Sequence, residues 1–246
     1  MDRALYVAMT GAKQTLQAQA VNSHNLANAS TVGFKAELAA QQAVNVEGGG
    51  MPSRVNTKLA GLGWDSSMGA VQQTGRDLDV ALDQDRWLAV QAPDGSEAYT
   101  RGGELMLDVN GQLRTASGLA VLGDGGPVSI PQNNSLSIGN DGNLSIVPLG
   151  QGAETTATVG RLRVVEAKPE QLERGPDGLF RAKPGQALDA APGKVLTSGA
   201  VETSNVNISE AMVNMIQLAR AFEMQTKLMR AAEDNAQAAN SLVRMG

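Results

Sequence analysis

The chain has 246 residues, of which 42% are hydrophobic but only 3% aromatic, and a net charge of −5. So few aromatic residues leave little to anchor a ligand pocket. An acidic balance without a basic run argues against nucleic acid or an anionic membrane surface as partner. The absence of cysteine removes disulfides, thiolate nucleophiles and cysteine-based metal sites.

At the N-terminus the apolar run Ala4–Met9 is broken by Thr10 and Gly11, too short for a cleaved export signal. No stretch is long and apolar enough to span a membrane. Residues 4–28 read as a helix, with Leu5, Met9, Ala12, Leu16, Gln19, Ser23 and Leu26 at alternating steps of three and four. Gly33 marks the helix exit, where a left-handed backbone is expected. We therefore assign residues 1–33 to an N-terminal helical segment. Residues 34–67, with the triple glycine Gly48, Gly49 and Gly50 and then Pro52, Gly61 and Gly63, read as an extended connector.

From about residue 68 the period changes to two. Leu78, Val80 and Leu82 alternate with Asp77, Asp79, Ala81 and Asp83, the pattern of a half-buried strand with its acids on the wet face. Asp94-Gly95, Asn110-Gly111, Asp141-Gly142 and Asp177-Gly178 each separate short alternating runs, predicting antiparallel hairpins. Residues 68–203 thus form a β-rich domain, with runs Val159–Val165 and Val195–Val201 leading back to the C-terminal segment.

Residues 204–246 carry the clearest periodicity. From Ile208 the steps of three and four reach Ala211, Met215, Leu218, Phe222, Gln225, Met229, Ala232, Ala236, Ala239 and Val243, a seam broken only by Gln225. Such a helix would be roughly 54 Å long, more than a small domain is wide, and would project. Asn207 with Glu210 resembles a capping pair. The fold expected is α+β, mainly β: an elongated molecule with an antiparallel β domain and terminal helices pairing as a coiled coil. The apolar seam residues other than Ala239 are the candidate assembly interface. Folding of both helices onto one ordinary core is the alternative.

Catalytic chemistry finds no support. Asp77, Asp79, Asp83 and Asp85 lack the spacing of a calcium loop, and strand alternation accounts for the first three. His24, the single histidine, sits in the N-terminal helix and reads as an interfacial hydrogen-bonding group. Gly123, Gly125 and Gly126 precede Pro127 rather than a helix, so no phosphate cradle is implied. No cofactor, metal or catalytic residue is assigned.

Asn25-Leu26-Ala27-Asn28-Ala29-Ser30-Thr31-Val32-Gly33-Phe34-Lys35 resembles the signature of bacterial flagellar rod and hook proteins. Its matching positions are Asn25, Leu26, Ala27, Asn28, Thr31, Gly33, Phe34 and Lys35. Ser204-Asn205-Val206-Asn207, followed by Met212, Met215, Ile216, Ala221, Phe222, Glu223, Met224 and Lys227, resembles the C-terminal helix of the same family. Leu78–Leu82 and Tyr99-Thr100-Arg101 resemble its shared β domain.

The length, the opening Met1–Tyr6 and the tail beyond Met229 point to the proximal-rod branch rather than the distal. The resemblance implies a non-enzymatic subunit of the basal-body rod in the periplasm, exported by the flagellar type III apparatus without a cleaved signal. Its terminal helices would line the export channel and transmit torque. Its partners would be itself, other proximal and distal rod proteins and the export apparatus, without nucleic acid or membrane insertion. The alternatives are a distal-rod or hook-type protein and, from another class, a secreted β-domain enzyme or sugar-binding protein that oligomerises through its ends.

Overall fold

The computed structural model describes residues 3–45, 55–150 and 155–245. It is mainly β with a helix at each end and divides into two compact units. Unit 1 comprises Met1–Ala29, Ala36–Asp65 and Val206–Gly246; unit 2 comprises Ser30–Lys35 and Ser66–Asn205.

Unit 1 contains helix α1 (Arg3–Ala27), strands β1 (Glu37–Asn45) and β2 (Val55–Trp64), and helix α2 (Ile208–Met245). Residues 34–67, read from sequence as a connector, therefore contain a two-stranded antiparallel ribbon, with a register shift between Leu38 and Ala39. Its glycines and polar residues hide the strand signal. Both strands pack against α1.

The two helices pack against each other and run antiparallel. Thr15 of α1 donates its hydroxyl to Gln225 Oε1 at 3.2 Å, and Asn22, further along α1, donates to the carbonyl of Ala211, further back along α2, at 2.7 Å. α2 begins where the capping pair predicts: the Glu210 amide donates to Asn207 Oδ1 at 3.2 Å.

Unit 2 holds the hydrophobic core. Val80, Leu88, Val90, Leu105, Leu113, Val121, Leu144, Leu162, Val195 and Leu196 are almost wholly inaccessible within one contiguous cluster. Among the described residues its largest sheet has nine strands. Seven run in spatial order Leu172–Arg174, Phe180–Ala182, Glu97–Thr100, Arg86–Gln91, Ala120–Gly123, Leu113–Thr115 and Leu105–Leu107. Gly126–Pro127 and Val164–Glu166 add to Ala120–Gly123 and Arg86–Gln91 respectively. A three-stranded sheet joins Asn133–Ile138, Asn143–Pro148 and Ala157–Arg161. Val80–Leu82 pairs with Leu196–Ser198, and Val71–Gln73 with Ala200–Glu202.

All four predicted turns join paired strands or neighbouring ones. Gly95, Gly111, Gly142 and Gly178 each have φ between 77° and 85°, which a side chain would disfavour. Asp79 departs from expectation: it is buried, with Thr74 Oγ1 donating to it at 2.6 Å. Val80, Ala81 and Leu82 are all buried, so this strand has no wet face and alternation does not report exposure.

Candidate functional site

The candidate interface residues fall in different environments. On α2, Ala211 is buried and Met215, Leu218, Phe222, Met229 and Ala232 are half-buried, as is Gln225; Ile208 is exposed. The side chains of Ala236, Ala239 and Val243 lie outside the described residues. On α1, Ala12 is buried and Gln19 and Leu26 are half-buried, whereas Leu5, Met9, Leu16 and Ser23 are exposed. Thr15 is buried, and Ala8, Gly11, Ala18 and Asn22 are half-buried. The shielded stripe of α1 is thus small and polar, which permits close approach. A reading that follows the largest apolar residues lands on its other side. The exposed side is correspondingly apolar: Leu5, Tyr6, Met9 and Leu16 on α1, and Ile208, Met212, Val213, Ile216, Met224 and Leu228 on α2.

The N-terminal signature does different work in each unit. In unit 1, Asn25 closes a two-way hydrogen bond with the backbone of Glu37: its Nδ2 donates to the Glu37 carbonyl at 2.9 Å, and the Glu37 amide donates to its Oδ1 at 2.8 Å. The amide thereby acts as a strand neighbour at the start of β1. His24 lies 3.3 Å from the Glu37 carboxylate. Asn28 donates its side-chain amide to the His24 carbonyl at 2.9 Å and caps the end of α1.

In unit 2, residues 33–35 bind the β structure. Gly33 has φ +69°, and a Cβ built on it would fall on the backbone of Arg101. Its amide donates to the Glu202 carbonyl at 2.7 Å. The Phe34 ring lies under the Arg174 guanidinium, 4.8 Å from its centroid. Arg174 also donates to the Lys35 carbonyl at 3.0 Å and approaches Phe180, which tilts against Trp87 at 4.6 Å. Lys35 is buried and donates to the Glu202 carboxylate at 2.7 Å and to the Ser67 carbonyl at 2.6 Å.

Glu202, wholly inaccessible, also accepts from the Gly69 amide at 2.9 Å and from Arg101 Nε at 2.6 Å. Asn205 closes the site, its amide donating to the Phe34 carbonyl and its side chain to the Ser67 carbonyl at 3.1 Å. The chain passes between the units four times. The unit 2 ends of those passages, near residues 33–35, 67–69 and 202–205, are tied together here. Lys35 is in the predicted signature; Glu202 carries no sequence signal of burial, since charged residues read as exposed.

Beside this site the Tyr99 phenol is pushed up by burial first, and then by the hydrogen bond to Glu97 at 2.9 Å. Among the described residues no group of three or more metal-ligating side chains forms, and no helix is long and apolar enough to cross a membrane.

Three segments match known families: residues 5–35 match "Flagella basal body rod protein", 81–146 "Flagellar hook protein FlgE/F/G D1 domain" and 197–242 "Flagellar basal body rod FlgEFG protein C-terminal". The flagellar basal-body rod protein FlgF of Escherichia coli K12 is 47% identical, with 100% of both chains covered. The chain belongs to the flagellar basal-body rod protein family. FlgF of Salmonella typhimurium LT2 is 45% identical over 100% of both chains. The rod protein FlgG of Bacillus subtilis 168 is 33% identical over 95% of this chain and 96% of its own. This rod protein is a structural subunit of the flagellar basal body, assembling with other rod and hook components. Its matched segments coincide with the parts just described: α1 with residues 33–35, the middle of the β core, and the last two strands with most of α2.

Proposed function

We propose that this rod protein occupies the proximal rod, as a FlgF rather than a FlgG. Its terminal helices would form the inner layer of the shaft around the export channel. The carrying observation is that both helices have a second apolar face. One face of each is shielded, while Ile208, Met212, Val213, Ile216, Met224 and Leu228 on α2, and Leu5, Met9 and Leu16 on α1, stand exposed. A helix apolar on two sides needs neighbours on both. The neighbours proposed are further copies and the adjoining proximal and distal rod proteins. The full-length identity of 47% to FlgF, against 33% to the Bacillus FlgG, supports the proximal position.

The protein would reach the periplasm unfolded through the flagellar type III apparatus, and its role would be torque transmission by stiff helix packing. Deleting the gene in the source bacterium should leave basal bodies that stop before the distal rod in electron micrographs. Basal bodies carrying a full proximal rod but no hook would move the protein to a distal position.

A further inference from the structure

Arg101 lies in neither terminal signature, yet Gly33 of the first rests on its backbone and Glu202, just before the second, on its guanidinium. Its guanidinium has five N–H donors, four of which make hydrogen bonds, and Nη2 is also ion-paired. Nε and Nη2 meet the Glu202 carboxylate. Nη1 donates to the carbonyls of Arg86 at 2.8 Å and Asp83 at 3.2 Å, and Nη2 also to that of Leu82 at 2.9 Å. The fork lies over the Trp87 ring, 5.6 Å from its centroid, and the side chain is 3% exposed. On its other side, the Arg101 backbone is the surface on which Gly33 rests. Lys35, Arg101 and Glu202 come one each from the three family-matched segments.

Charge balance does not call for Arg101. Lys35 alone neutralises Glu202 at 2.7 Å, and the second cation leaves the buried triad with an excess positive charge. Such a group is retained for where it points, since breaking a buried ionic cluster costs much while replacing it whole by apolar residues often costs little. We propose that Arg101 is a positioning residue for rod assembly. It holds residues 33–35, after α1, and 202–205, before α2, in one fixed register on unit 2. The proposal rests on the rod-subunit reading, because the segments it fixes lead into the two helices.

Lysine retains the charge but offers three donors from a single point and cannot hold the carboxylate and three carbonyls together. In the purified full chain, Arg101→Lys should leave the amides of Leu88, Val90 and Val121 as protected as in wild type. Those of residues 33–35 and 200–205 should exchange about tenfold faster. The triple variant Lys35→Met, Arg101→Met, Glu202→Leu should recover the wild-type thermal midpoint but not the protection of those two segments.

In the source bacterium with the chromosomal copy deleted, the wild-type gene should restore swimming and neither variant should. Failure of the wild-type gene would remove the rod reading while leaving the exchange result to judge Arg101. A triple variant that is stable and swims would overturn the proposal, reducing the triad to a source of stability. Failure of both variants to fold would overturn it too, making Arg101 a requirement of the fold rather than of register.

Discussion

Unit 1 and unit 2 distribute the same kinds of residue in opposite ways. Unit 2 contains all of the buried hydrophobic side chains among the described residues except Ala12 and Ala211. Among the described residues unit 1 exposes eleven large hydrophobic side chains and unit 2 six. Charge divides similarly. Unit 1 has eight basic and eight acidic residues, unit 2 twelve and seventeen, so the whole net charge of −5 belongs to unit 2. A neutral, outwardly apolar unit is suited to contact with its own kind, and an acidic unit with a filled core to contact with water. Unit 2 is complete as a fold; on the proposed reading, unit 1 is completed by its neighbours.

Four substitutions would break or sharpen that contrast. Glu202→Ala strikes unit 2 hardest, leaving Lys35 and Arg101 as buried cations without an anion. A loss of about 3–5 kcal/mol is expected, measured by chemical denaturation with Trp87 fluorescence as the probe. A loss below 1 kcal/mol would mean that water enters the triad.

Phe222→Asp places a charge on the shielded side of α2. Helical signal in far-ultraviolet circular dichroism should fall while the unit 2 thermal midpoint holds, and rods should not assemble. A midpoint that falls with the helical signal would mean that the two units unfold as one.

Gly33→Val imposes a β-branched side chain on a left-handed residue and drives it into the Arg101 backbone. At least about 1–2 kcal/mol is expected from the backbone term alone, read as a lower denaturation midpoint, with motility lost. Wild-type swimming would show that residues 33–35 can shift without consequence.

The smallest effect on the isolated protein is expected from Ile216→Ser, within about 0.5 kcal/mol of wild type because the side chain is exposed. Motility in soft agar should nevertheless fail. Stability and motility both unchanged would remove this face of α2 from the proposed interface.

The fold was legible where one period ruled a whole element. α2 shields Ala211, Met215, Leu218, Phe222, Gln225, Met229 and Ala232 in strict heptad order because large apolar residues define its inner face. The hairpins at Asp94-Gly95, Asn110-Gly111 and Asp141-Gly142 were legible because each turn needs a positive φ that glycine supplies. α1 was not, because closeness selects Ala8, Ala12 and Thr15 over Leu5, Met9 and Leu16. The ribbon of residues 37–45 and 55–64 was hidden by alanine, glutamine and glycine. At the signature site, Gly33 announced its backbone, but the burial of Lys35 and Glu202 depends on partners 167 residues apart in the chain, which no local pattern encodes.

The contact between Gly11 and Gln225 has a mechanical meaning. Two helices that meet through a mostly small-residue stripe on α1 could slide along each other among several offsets of similar energy. Here the Gln225 amide fits the space left by the missing side chain of Gly11, 3.1 Å from where a Cβ would stand, while its oxygen accepts from Thr15. Sliding α1 by one heptad would set this amide against Ala8 in place of Thr15, losing the hydrogen bond in a half-buried place at a cost of about 1–3 kcal/mol. The pair is keyed like a shaft in its collar: one notch and one tooth fix its axial phase, and a thrust along either helix meets a stop.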